Sequence, residues 1–250
     1  MTQIRCFSLL PLCLVLFCTS FSGAETPGLA TRRRRPVALV QVQQWQRLLV
    51  ANRDSGSISV IDLPERRVIG ETVVGTRLSD LTVSPRGDLV LATDEAEHRL
   101  LLLNYHDGKV TLRDRVPVGP SPVSVTLNSS GNLAVVASSW SHSLTLVRLP
   151  VDTSQVPQRI SLPFAPRTQL ALPDGRTLLV ADAFGGRLGV VDLVDRRLRH
   201  VHDLPAHNLR GLALSSDRRH LLVTHQVLNP LARTTSNDVF WGLLMSNNIW

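Results

Sequence analysis

Cysteine, lysine and aromatic residues are scarce in this chain, and their absence narrows its chemistry. All three cysteines, Cys6, Cys13 and Cys18, lie in the first 18 residues. A chain matured past them holds no disulfide, no thiolate metal site and no Cys-x-x-Cys-His haem attachment. Lys109 is the only lysine, so the net charge of +7 and the pI near 10.7 come from arginine. Such a charge raises the question of nucleic acid. Outside Arg32–Arg35, however, the arginines are scattered singly among acids, and few aromatics are available as base-stacking platforms. No nucleic-acid partner is expected. No apolar run approaches the ~20 residues of a membrane-spanning helix, so no transmembrane span is expected either.

The amino terminus departs from the rest. Arg5 is the only charge before Glu25, an apolar stretch runs from Leu9 to Phe17, and Ser22, Gly23 and Ala24 precede Glu25. That order predicts a secretory signal peptide over 1–24, cleaved after Ala24, with export to the periplasm or cell surface. The arginine run follows the apolar core instead of preceding it, which argues for general secretion. Phe17 before Cys18 argues against lipidation. Residues 25–36 read as a solvated basic linker.

Beyond the linker the chain repeats itself. The segments beginning at Leu48, Leu89, Ala134 and Leu178 each consist of an apolar strand, a short polar turn and a second apolar strand. Anchored on Val50, Leu91, Val136, Val180 and Val223, the repeat has spacings of 41, 45, 44 and 43 residues. A period of about 40–45 residues with four strands per unit is the signature of a β-propeller. Period-two patterning, with Gly and Pro between strands, excludes helical solenoids. The predicted fold is therefore all-β, a propeller of four-stranded blades over 37–224, with an irregular tail from 225 to 250.

Three stretches, VANRDSGSISVID from Val50, DLTVSPRGD from Asp80 and LALPDGRTLLVAD from Leu170, resemble the YVTN family of β-propeller repeats. The resemblance spans about Val37 to Val223 and implies the fold, while leaving the function open. The tail from His225 resembles a segment of exported propeller proteins that continue into a cytochrome c peroxidase-like di-haem domain. Asn229-Pro230-Leu231-Ala232, Thr234-Thr235, Asp238, Trp241-Gly242 and Met245-Ser246-Asn247 carry that likeness. No Cys-x-x-Cys-His follows, so the haem function implied there is not carried by this chain, and no cofactor is expected.

Pro36 to Gln43 aligns with the last strand of a unit, although it precedes the first complete one. This placement predicts that it completes the final blade. Seven blades would take about 300 residues, so the count predicts four complete blades, a partial fifth, and an open arc or poorly closed ring. An unpaired leading strand would then expose backbone donors and acceptors.

Aligning the ends of the first strand of each unit brings Asn52, Thr93, Ser138, Asp182 and His225 into one column. With the loop residues Asp54, Glu95, Trp140 and Phe184 they form the candidate ligand-binding face. The alternative is that they satisfy backbone groups in turns. His200 and His202, two apart on one strand, and the nearby His207 offer imidazoles, but no metal site is expected. No nucleophile elbow, phosphate loop or paired carboxylates occur at useful spacing.

Three readings follow. The first is an exported, non-enzymatic binding or scaffold module of the cell envelope, whose partner is a protein or small molecule on the loop face. The second is the propeller part of a haem-dependent redox protein with a downstream or partner haem domain. The third is a lactonase-like hydrolase using His225 and Asp182.

Overall fold

The structure is a computed structural model that describes residues 33–152, 156–240, 242 and 244–250. The expected signal peptide at 1–24 lies outside the described residues, as does the linker up to residue 32. Among the described residues no helix is long and apolar enough to cross a membrane.

Gly and Pro turns cut the apolar pattern into short strands, and each group of strands pairs antiparallel with its sequence neighbours. The first blade is β1 (Pro36–Val42), β2 (Arg47–Asn52), β3 (Ser57–Asp62) and β4 (Arg67–Val73). The second is β5 (Leu78–Val83), β6 (Leu89–Asp94), β7 (Arg99–His106) and β8 (Lys109–Pro117). The third is β9 (Pro122–Leu127), β10 (Leu133–Ser138), β11 (Ser143–Arg148) and β12 (Gln158–Ser161). The fourth is β13 (Pro166–Ala171), β14 (Thr177–Asp182), β15 (Arg187–Asp192) and β16 (Arg197–Asp203). The fifth holds three described strands, β17 (His207–Leu214), β18 (Leu221–Leu228) and β19 (Met245–Ile249). The chain is a β-propeller of four complete blades and a fifth of three described strands.

The first strands of successive blades touch one another in series, β1 to β5 to β9 to β13 to β17, and so lie innermost. Between each pair of blades sits one apolar cluster. In β10, Val135 and Ala137 face blade four, while Ala134 and Val136 face blade two. A strand buried on both faces has no reason to alternate with polar residues. That is why the second strands read as continuous apolar runs.

Three expectations are corrected. Pro36–Val42 does not complete the final blade; it pairs with β2 along its length, from Pro36 opposite Asn52 to Val42 opposite Arg47. It is an inner strand, as its likeness to residues 80–84 implies, but it opens the first blade and is not left unpaired. A three-residue 3-10 turn, Gln43–Trp45, joins the two strands, and closing so short a loop costs far less entropy than recruiting a strand across the chain. The tail is also not irregular throughout: β18 continues to Leu228, a short helix α1 (Ser236–Phe240) follows, and β19 returns to pair with β18. At the other end, Arg33–Arg35 are not simply a solvated linker. The Arg35 and Arg34 carbonyls accept the N–H groups of Arg53 and Asp54 at 2.9 and 3.1 Å, and Arg34 pairs with Glu71 at 2.9 Å.

Candidate functional site

One backbone contact recurs in four blades and builds a common face. The residue that follows the second strand donates its N–H to the carbonyl just before the inner strand. Arg53 donates to Arg35 at 2.9 Å, Glu95 to Arg77 at 2.8 Å, Ser139 to Ser121 at 3.0 Å and Ala183 to Ala165 at 2.8 Å. The turns between second and third strands are thereby held beside the loops that enter each blade.

The candidate column lies just beneath that face, and all five side chains are buried: Asn52, Thr93, Ser138, Asp182 and His225. Asn52 donates its amide to Ser57 and Ser59 at 3.1 and 2.9 Å. Ser138 donates to the Gly119 carbonyl at 3.0 Å. Asp182 accepts from the Phe184 N–H at 3.1 Å and the Arg187 guanidinium at 2.8 Å. These groups are committed to turn geometry, as side chains of this kind are at strand ends. A ligand on the face meets the turns above them.

Register corrects one member of the column. Pro36 pairs with Asn52, Pro122 with Ser138 and Pro166 with Asp182; in blade two Leu78 pairs with Asp94, not with Thr93. Asp94 is buried and accepts the Thr76, Arg77, Ala96 and Glu97 N–H groups at 2.7 to 3.2 Å, tying the turn to the loop before β5. Thr93 instead shares a 2.8 Å hydrogen bond with Ser79 on the inner strand. The Leu-x-x-Asp spacing shared by LATD at Leu91 and LVAD at Leu179 is a sequence signal that points to Asp94.

His225 differs from the others. Its ring lies 4.0 Å from that of Trp250, centroid to centroid, and its buried Nε2 has no hydrogen-bond partner among the described residues. No hydrogen bond joins it to Asp182, so the base and orienting group of a hydrolase are not assembled here. His200 and His202 touch edge to face at 4.3 Å on exposed β16, while His207 pairs with Gln226 on β17. Among the described residues no group of three or more His, Cys, Asp or Glu side chains is arranged to hold a metal ion.

What the face offers to solvent is aromatic and charged. Trp140 and Phe184 each stand two residues past the strand-end residue of blades three and four, and they are 79% and 74% exposed. On the side of blades one and two, Arg53 pairs with Glu95, whose second carboxylate oxygen accepts the Ser121 hydroxyl at 3.2 Å. That acid links three successive blades. In the inner layer, Asp80 accepts the Val125 and Leu81 N–H groups, both at 2.8 Å, and burial pushes its pKa up to about 6 against those two bonds.

Solved structures share this architecture. Kuenenia stuttgartiensis hydrazine synthase superposes with a TM-score of 0.75 at 18% identity, over 89% of this chain and 64% of that one. The likeness is one of fold. The Swd1 (Cps50) β-propeller domain of Myceliophteria thermophila gives 0.63 at 17% identity, over 80% and 67% of the two chains. A Bacteroides uniformis protein provisionally assigned as a 6-phosphogluconolactonase gives 0.63 at 16%, over 77% and 66%. The chain thus spans about two thirds of the length of these propellers. No protein-family profile matches the sequence, and no curated protein does.

Proposed function

We propose that this chain is an exported, non-enzymatic β-propeller that binds a partner on its turn face. The observation that carries the reading is the pair Trp140 and Phe184, two large aromatics exposed at equivalent turn positions of adjacent blades. A single exposed aromatic is ordinary. Two exposed at equivalent turn positions of adjacent blades match the aromatic anchors that dominate protein interfaces. Their turns are held by Ser138 and Asp182, so the buried column serves binding by positioning. Export rests on the signal-like segment 1–24, and a cell-envelope protein or a small molecule with an apolar surface is the partner class.

The test is a pull-down from the envelope fraction of the source cells with the full chain and with Trp140→Ala/Phe184→Ala. A protein retained by the wild type and lost by the variant, at unchanged melting temperature, is the expected result. Equal retention by both would overturn the reading.

A further inference from the structure

The outer edge of blade five differs from that of the other blades. In those, a fourth strand pairs with the third, β4 on β3, β8 on β7, β12 on β11 and β16 on β15, whereas β19 pairs with β18 alone among the described residues. Trp250 and Val223 exchange N–H···O bonds of 3.1 and 3.0 Å, which sets the hydrogen-bond phase of β19. Alternate residues of an antiparallel strand bond to opposite sides. Met245, Asn247 and Ile249 therefore direct their N–H and C=O groups to the open edge, and all three residues are exposed.

Natural sheets block an open edge with charge or proline. The outermost strands of the other blades follow that rule, with Arg67 in β4, Arg113 in β8, Arg159 in β12 and Arg199 in β16. β19, with the sequence MSNNI, carries neither charge nor proline. It is also self-complementary. About a two-fold axis at Asn247, two copies of β19 pair antiparallel with Asn247 opposite Asn247, Met245 opposite Ile249 and Ser246 opposite Asn248. The open-edge residues then become one another's bonded partners, apolar pairs flank the amide pair, and no charge is buried. Val223 packs toward blade four, so Leu222 and Leu228 on the same strand face away from it, together with Met245 and Ile249 opposite. These four side chains are 43 to 69% exposed, and the two-fold joins them to their counterparts in one apolar surface.

We propose that β19 pairs antiparallel with β19 of a second copy, which takes the place of the fourth strand that the other blades supply themselves. A ladder of 5 residues is short against an interface of roughly 1,200 Å² or more, so the pair is weak and reversible. Sedimentation velocity of the full chain over a range of concentrations, under reducing conditions, tests it. The wild type is expected to pass from monomer to dimer as concentration rises. Asn247→Pro removes the N–H at the centre of the open edge and spares the bonds to β18, and it should weaken dimerisation about tenfold or more. Asn247→Lys and Asn247→Asp each set like charges opposite one another and should weaken it about fivefold, while an equimolar mixture of the two should restore it. That mixture carries the test if the proline variant does not fold. Thr111→Lys, at an exposed position of β8, adds the same charge elsewhere and should leave dimerisation unchanged. Trp140→Ala/Phe184→Ala should also dimerise as the wild type does, which separates this edge from the turn face. A monomer at every concentration, a dimer indifferent to the Asn247 variants, or a mixture no tighter than its parts would overturn the proposal.

Discussion

Gln169 is a residue whose role depends on the blade beside it. Its amide Nε2 lies 3.1 Å from the Ser124 carbonyl, 2.9 Å from the Ser124 hydroxyl and 3.1 Å from the Val135 carbonyl, so it laces blade four to blade three. Gln169→Ala should destabilise the fold by about 1–2 kcal/mol, and Gln169→Glu by more, because a carboxylate would face the Ser124 and Val135 carbonyls with only the Ser124 hydroxyl able to donate to it. Urea unfolding of the two variants checks the order. Two buried acids act on stability with opposite sign. Asp80, raised to about 6, favours the folded state fully at pH values below its unfolded pKa near 3.8, and that contribution is lost as pH rises through about 6. Asp192 is buried, and burial alone would raise its pKa. The N–H groups of Asp195 and Val194 and the Arg176 guanidinium outweigh burial and lower it, so its contribution is present above the ordinary carboxylate range and lost on acidification below it. Asp80→Asn should remove the step near pH 6, a change of order 1–3 kcal/mol between pH 4 and 7. Unfolding free energies across that range, compared with the wild type, measure it.

At the scale of elements, stability follows how many faces of a strand are covered. The second and third strands of blade two are covered on both sides, and Leu101 there is fully buried. Leu101→Ala should cost about 2–5 kcal/mol. In β18 the same change at Leu222, 43% exposed, should cost under about 1 kcal/mol. Equilibrium unfolding of both variants tests the contrast. The fifth blade has exposed apolar residues, Leu222, Leu228, Ile249 and Trp250, and three described strands instead of four. Amide exchange should therefore be fastest in β17–β19 and slowest in β6, β7 and β10, where central strands lie between two apolar clusters. Equal protection across the blades would contradict this account.

At the scale of the whole molecule, the inner strands form a series in which each blade packs on the next, as in other repeat architectures where each unit touches its neighbours. β17 and β1 do not make a comparable contact among the described residues. Coupling between blades should then run along the series. Phe164, 1% exposed in the cluster between blades three and four, offers a test: Phe164→Ala should loosen those two blades by about 3–5 kcal/mol and leave exchange in β2 and β3 little altered. The proposed export is tested at this scale too. Sequencing of the amino terminus of protein recovered from the envelope fraction should begin at Glu25, and intact Met1 in mature protein would refute the processing expectation.

The sequence by itself determined the repeat, the strand class and the blades, because apolar residues recurring with period two and a period near 43 residues admit few other packings. It also located the turns that carry Trp140 and Phe184. Register was settled by strand pairing, with the Leu-x-x-Asp spacing of blades two and four as its one trace in the sequence. A one-residue difference in blade two moved the turn-binding role from Thr93 to Asp94, since hydrogen-bond pairing, not sequence spacing, defines equivalence across a bulge. The same holds for Pro36–Val42, whose likeness to residues 80–84 marks an inner strand without saying of which blade, and which the short 3-10 turn joins to β2. The burial of Asn52, Ser138 and Asp182 follows from how blades stack on one another. Stacking of that kind depends on contacts between residues some 40 positions apart, which local pattern does not encode.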